Sequence, residues 1–179
     1  VSLPVAILSP ARLVVAVRRS SAGPCREARG ARPPRPCGGV RVACGGGVVG
    51  VPSVALGDSA VLAADTDSLA VRATTDNAAL NGLKAEQLRV SHGSIDTLAT
   101  LLNGEEADLL LCNILAPVIE ALAPQFSSVL KSTGRGLLSG LLVDQAPRLI
   151  EVLAEYGWQA RPIGEQGRWG LLEIKRIFR

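Results

Sequence analysis

From residue 42 onward, short apolar runs alternate with longer stretches whose apolar residues recur at helical spacing. Residues 61–64 are apolar and run into Asp65-Thr66-Asp67, which predicts a strand ending in acids. A helix is predicted over about 68–80, with Leu69, Ala73 and Leu80 on one face. Asp67 or Ser68 is suited to cap it, and Asn81-Gly82 to end it. Residues 88–91 alternate as a third strand, and His92, Gly93, Ser94 and Asp96 follow as a loop. After the acidic stretch 105–108, the run 109–112 is apolar and of strand length, and it stops at one polar amide, Asn113. Leu115, Val118, Ile119, Leu122, Phe126, Val129 and Leu130 then make a core-facing helical stripe over about 115–131, bent at Pro124. Gly134 and Gly136 flank the turn into a strand over 137–142, which Ser139-Gly140 interrupts. Asp144 is placed to cap a helix over about 145–156, with Leu149, Ile150 and Leu153 inward and Gly157 at its end. The last two strands, 158–163 and 169–177, are joined by so short a turn that they must form a hairpin.

The resulting order from residue 42 is β-α-β-α-β-β-α-β-α-β-β. Alternation of this kind requires a largely parallel sheet covered on both faces, with the hairpin adding one antiparallel strand. The expected class is therefore α/β with a mostly parallel sheet. In such sheets ligands bind beyond the carboxyl ends of the strands. Two polar groups are expected there. Asp65, at the tip of its strand, offers two acceptor oxygens, which suits a pair of ribose hydroxyls; the same acid could simply be solvated in a turn. Asn113 is either a ligand contact or the cap of the following helix, a role Asn fills well. The stretch 42–47 adds a short strand running into Gly45-Gly46-Gly47, whose small residues would let a helix N-terminus approach a nucleotide.

Composition narrows the classes. The chain has 179 residues, 47% of them apolar, which suits one domain with a proper core. Aromatics are 3%, too few for a surface that stacks bases, so no direct nucleic-acid binding is expected. No apolar run approaches a membrane span. Four cysteines without a CxxC pair, and a single histidine, argue against a zinc site or a disulfide framework and toward a reduced, cytoplasmic setting. There is no methionine, even at position 1, as expected of a fragment. The net charge of +3 divides into +7 over residues 1–41 and −4 over 42–179. Residues 1–41 hold eight arginines, no lysine and six prolines, and 24–39 are nearly free of apolar residues. A disordered Arg/Pro-rich segment is expected at 1–41 and a folded domain at 42–179. A transit peptide, a basic arm for anions, and coding sequence read in a wrong frame all remain open for the first segment.

Three stretches carry a resemblance: DTDSLAVRATTDNAALNG (65–82), CNILAP (112–117) and LLSGLL (137–142), with GRWGLLEIKR (167–176) at the end. Together they resemble the PrmA family, methyltransferases that modify ribosomal protein eleven of the large subunit. The resemblance covers roughly residues 42–177. It implies a Rossmann-like methyltransferase fold, S-adenosylmethionine as methyl donor, and transfer to Lys side-chain amines and the terminal amine of the ribosomal protein. It implies that Asp65 holds the ribose, that Asn113 contacts the donor near the methyl group and orients the amine, and that Gly45 and Gly47 belong to the glycine-rich loop. Departures accompany it. Ala43 stands where the family has its first loop glycine, Arg41 where it has an acid, and Pro52 falls inside the helix expected next. No counterpart of the family's substrate-recognition domain is present, and with these departures weak or no activity is expected of the chain. A nicotinamide-dependent oxidoreductase and a degenerate, non-catalytic binding module are the competing readings. Oligomeric state is not legible.

Overall fold

The computed structural model describes the backbone of residues 13–19 and 59–60, and residues 61–85 and 87–177 in full. The apolar run that ends at Asn113 is a central strand, β4 (Ala107–Asn113), buried on both faces along almost its whole length. This is the burial expected of a strand flanked by neighbours and covered above and below. In chain order the other strands are β1 (Leu13–Arg19), β2 (Ser59–Asp65), β3 (Leu88–His92), β5 (Leu130–Leu142), β6 (Trp158–Gln166) and β7 (Trp169–Arg176). They form one seven-stranded sheet in the order β3-β2-β1-β4-β5-β7-β6. Five strands run in one direction; β1 and β7 run against them. The fold is thus α/β and Rossmann-like, mostly parallel in direction, with the antiparallel hairpin β6–β7 at one edge.

The helices are α1 (Ser68–Leu80), α2 (Ile95–Leu102), α3 (Ala116–Leu122) and α4 (Ala146–Glu155). α1 begins and ends where its local signals put it. The Asp67 carboxylate accepts the Leu69 N–H at 2.9 Å as an N-cap. Its inward residues differ from expectation, however. Thr74 and Ala78 are buried, while Leu69 and Leu80 are 70% and 82% exposed. They sit at the two ends of the helix. α2 corrects the loop expected after His92: Ile95, Leu98 and Leu102 repeat at helical spacing and all three are buried.

The helix expected over 115–131 stops at Leu122 and tightens into a 3₁₀ turn, Ala123–Ser128. Pro124 lacks the N–H that would continue the α ladder. Phe126, Val129 and Leu130 are buried, but Leu115 and Val118 are exposed. β5 starts at Leu130, seven residues earlier than the pattern at 137–142 predicts, so Gly134 and Gly136 lie within a strand rather than beside a turn. At Gly136 the missing side chain makes room for Ile174 of β7.

The apolar core lies mainly on one face of the sheet. Leu110, Cys112, Leu138, Leu172 and Ile174 meet Ile95, Leu98, Ile119, Leu149 and Leu153. Trp158, the first residue of β6, ties the hairpin to this layer. Its indole N–H donates to the Ala123 carbonyl at 3.3 Å, and its ring meets Phe126 edge to face at 6.3 Å. The Arg176 guanidinium lies over the ring, 5.1 Å from its centroid.

β1 departs most from expectation. Leu13–Arg19 falls inside the segment 1–41 that its Arg/Pro content assigns to disorder, yet it pairs at the centre of the sheet with both β2 and β4. Composition averaged over forty residues hides a β-branched apolar run, Leu13-Val14-Val15-Ala16-Val17, that suits a central strand. The stretch 42–47 expected to supply the first strand and the glycine-rich loop lies outside the described residues, as do Arg41, Ala43 and Pro52.

Candidate functional site

At one rim of the sheet, strand register brings together residues far apart in the chain. Leu13 of β1 is paired with Asp65 of β2 on one side and with Asn113 of β4 on the other. Asp65 is in turn paired with His92 of β3, and Asn113 with Ser139 of β5. With one strand between them, the Asp65 and Asn113 backbones stand roughly 10 Å apart. β2 and β3 leave this centre toward one edge, and β4 and β5 toward the other. This is the switch point at which open α/β sheets bind ligands. The two residues chosen from sequence are thus on one rim, at the carboxyl ends of parallel strands.

Asp65 is 5% exposed. Its Oδ1 accepts the Asp67 N–H at 2.8 Å, which locks the turn into α1. Its carbonyl accepts the Gly93 N–H at 2.9 Å, tying down the loop after β3. The His92 Nε2 lies 3.1 Å from the Thr66 carbonyl and holds the two loops against each other. His92 is an exposed residue at the rim and closes β3 rather than opening the loop expected after it.

Asn113 is 2% exposed, and its Oδ1 has no hydrogen-bond partner among the described residues. The capping role is not what it does. The N-cap of α3 is Leu115, no side chain caps that end, and Pro117 in the first turn removes one of the donors a cap would serve. A buried amide oxygen left without a donor costs on the order of 1–3 kcal/mol. Such a group is expected where a ligand completes it. Gly45 and Gly47, the other two expected contacts, lie outside the described residues.

A second polar cluster lies away from this rim, on the hairpin, and sequence reasoning did not single it out. Glu173 of β7 is 5% exposed. Arg161 of β6 holds it with two nitrogens, Nε at 2.8 Å and Nη2 at 2.6 Å from Oε2. Lys175 Nζ stands at 3.6 Å and Arg135 Nη1 at 3.9 Å. Burial alone would raise the carboxyl pKa. The Arg161 hydrogen bond and the charges of Lys175, Arg161 and Arg135 outweigh it and hold Glu173 below the usual carboxylate range. A cavity of about 300 Å³ beside it is lined by Gln159, Arg161, Glu173 and Lys175. The available signal was the charge alternation Glu173-Ile174-Lys175 opposite Arg161, which puts the charges on one face. No His, Cys, Asp and Glu cluster suited to a metal occurs among the described residues. No helix among them is long and apolar enough to cross a membrane.

The sheet order, the helical layer and the terminal hairpin define a Rossmann-like methyltransferase fold. The magnesium protoporphyrin IX methyltransferase of Synechocystis PCC 6803, solved with bound SAH, superimposes with a TM-score of 0.54 at 17% identity, over 74% of this chain and 71% of that one. Sequence narrows the class. The ribosomal protein L11 methyltransferase (PrmA) family profile matches residues 40–177, and the chain belongs to that family. It is 59% identical over 152 residues to the ribosomal protein L11 methyltransferase of Parasynechococcus marenigrum, covering 85% of this chain and 53% of the relative. The crystal structure of ribosomal protein L11 methylase from Lactobacillus delbrueckii subsp. bulgaricus matches with a TM-score of 0.64 and 32% identity, over 74% of this chain and 66% of that one. The chain spans about half the length of the curated relatives it matches.

Proposed function

We propose that residues 42–179 are the donor-binding part of an S-adenosylmethionine-dependent protein methyltransferase that methylates amines of a large-subunit ribosomal protein. The observation that carries this reading is the buried, unpartnered Oδ1 of Asn113, one strand away from the Asp65 carboxylate. Both groups are acceptors, and both suit a ligand rich in N–H and O–H donors. Asp65 would hold the ribose hydroxyls, and Gly45 and Gly47 would belong to the loop around the donor. The family membership and the relatives' names support the choice of donor and acceptor. A ribosomal-protein acceptor is the support for a cytoplasmic location.

The donor, when bound, supplies a methyl group on a sulfonium carbon. The protein's contribution is placement. Asn113 would contact the donor beside its methyl group and accept a hydrogen bond from the attacking amine, aiming the amine's lone pair, and alignment of this kind accounts for much of the acceleration in such transfers. No strong base is required of the chain, because an amine that arrives unprotonated needs only orientation.

Calorimetric titration tests the reading. S-adenosylmethionine should bind and NAD should not, and Asp65→Ala should weaken the donor by about 1–3 kcal/mol. Binding of NAD in place of the donor, or an unchanged dissociation constant for Asp65→Ala, would overturn it. Methyl transfer from labelled donor to the isolated large-subunit ribosomal protein tests the acceptor.

A further inference from the structure

Gly140 lies within β5 and has φ +83°, a backbone conformation that glycine adopts readily and most residues do not. β5 loses its regular pairing with β7 between Leu138 and Leu141, so Gly140 forms the irregular step of the strand. That step faces the end of β4. A Cβ on Gly140 would sit 2.8 Å from the Asn113 Oδ1 and 2.6 Å from the Ile114 carbonyl oxygen. The Ile114 carbonyl cannot yield alone, because the Ile114 N–H donates to the Ser139 carbonyl at 3.1 Å and pins this turn to β5. A side chain of any size at position 140 therefore displaces the segment that carries Asn113.

We propose that Gly140 is the positioning residue for Asn113: its bare Cα holds open the space that the unpartnered amide oxygen occupies. The proposal rests on the reading of Asn113 as a donor contact. In this account the left-handed step of β5 does two things. It interrupts the β5–β7 ladder, which resumes at Leu141 opposite Gly170, and it brings a surface without a side chain against Asn113 and Ile114. Asn113 is thereby held in the rim without gaining a partner among the described residues that would compete with the ligand.

Two substitutions separate crowding from backbone strain. Gly140→Ala adds the Cβ and strains the backbone. Gly140→Asn keeps the Cβ but tolerates positive φ better. Gly157, at φ +80° with nothing within 4 Å of its Cβ position, is a matched control for strain alone. Affinity for S-adenosylmethionine, measured by calorimetry on the full chain, should fall about tenfold or more in Gly140→Ala and Gly140→Asn, as it should in Asn113→Ala. It should be unchanged in Gly157→Asn. Adding Gly140→Ala to Asn113→Ala should weaken binding no further. The Asn113 side-chain amide resonances should shift in Gly140→Asn without ligand and stay in place in Gly157→Asn. Additive losses in the double variant, unshifted amide resonances, or affinity that recovers in Gly140→Asn along with thermal stability would each overturn the proposal. Silent Gly140 variants beside a weakened Asn113→Ala would overturn the role of Gly140 alone. An Asn113→Ala with unchanged affinity would remove the reading beneath it.

Discussion

Asn113 and Glu173 are both polar, both nearly inaccessible and both in the sheet, yet they are treated in opposite ways. Glu173 has three cations around one carboxylate. Asn113 has an amide oxygen with no partner among the described residues. A buried polar group whose bonding is complete within the protein contributes to the fold, here by fastening β6 to β7 and β5. A buried group left incomplete lowers stability and is expected to be completed by something outside the chain. The difference sets an internally completed brace apart from a buried acceptor left open, the feature on which the proposed binding role rests.

The comparison can be broken most sharply at Asn113. Asn113→Leu, similar in shape but without the oxygen, should reduce donor affinity by about 1–3 kcal/mol while the urea midpoint holds or rises. A clear loss of stability would mean that the amide is a brace after all. Glu173→Gln should behave in reverse. It should cost roughly 1 kcal/mol of stability, because the three cations are about half exposed and solvent screens them, and it should leave donor affinity unchanged.

The acid limb gives a smaller and more specific effect. Glu173 has its folded pKa below the ordinary value of 4.5, so its contribution is complete above that value and is lost as pH falls through the folded pKa. The stability gap between the wild type and Glu173→Gln, read from urea midpoints, should be full at neutral pH and close below about pH 4.5. A gap that persists into strong acid would deny the charge any role. The smallest effect belongs to Lys175→Ala. At 3.6 Å and half exposed, Lys175 should contribute a few tenths of a kcal/mol, and high salt should erase the contribution.

Features with local causes were legible before the fold was seen. α1 follows from Asp67 at its start and Asn81-Gly82 at its end, and the hairpin follows from a connection too short for anything else. α2 was readable in principle, since Ile95, Leu98 and Leu102 keep helical spacing, but it has only eight residues and no side-chain cap, beside Gly93-Ser94. The first half of β5 was not readable, because Lys131, Ser132, Thr133 and Gly134 carry no strand pattern. β1 was hidden by the arginines and prolines around it. Asp65 and Asn113 were both found as acceptors at strand ends, whereas Gly140 was visible only as an interruption of a strand.

The sequence by itself determined the alternation of strands and helices, the directions that short connections permit, and the polar residues that close two of the strands. It did so because each of these depends on neighbours within a few positions. Only the tertiary structure decided that Leu13 stands between Asp65 and Asn113, that a seven-residue run from the basic segment occupies the sheet centre, and that the Asn113 oxygen is without a partner among the described residues. Register across strands and the completeness of a hydrogen-bonding shell depend on groups brought together from distant parts of the chain, and no local pattern encodes them.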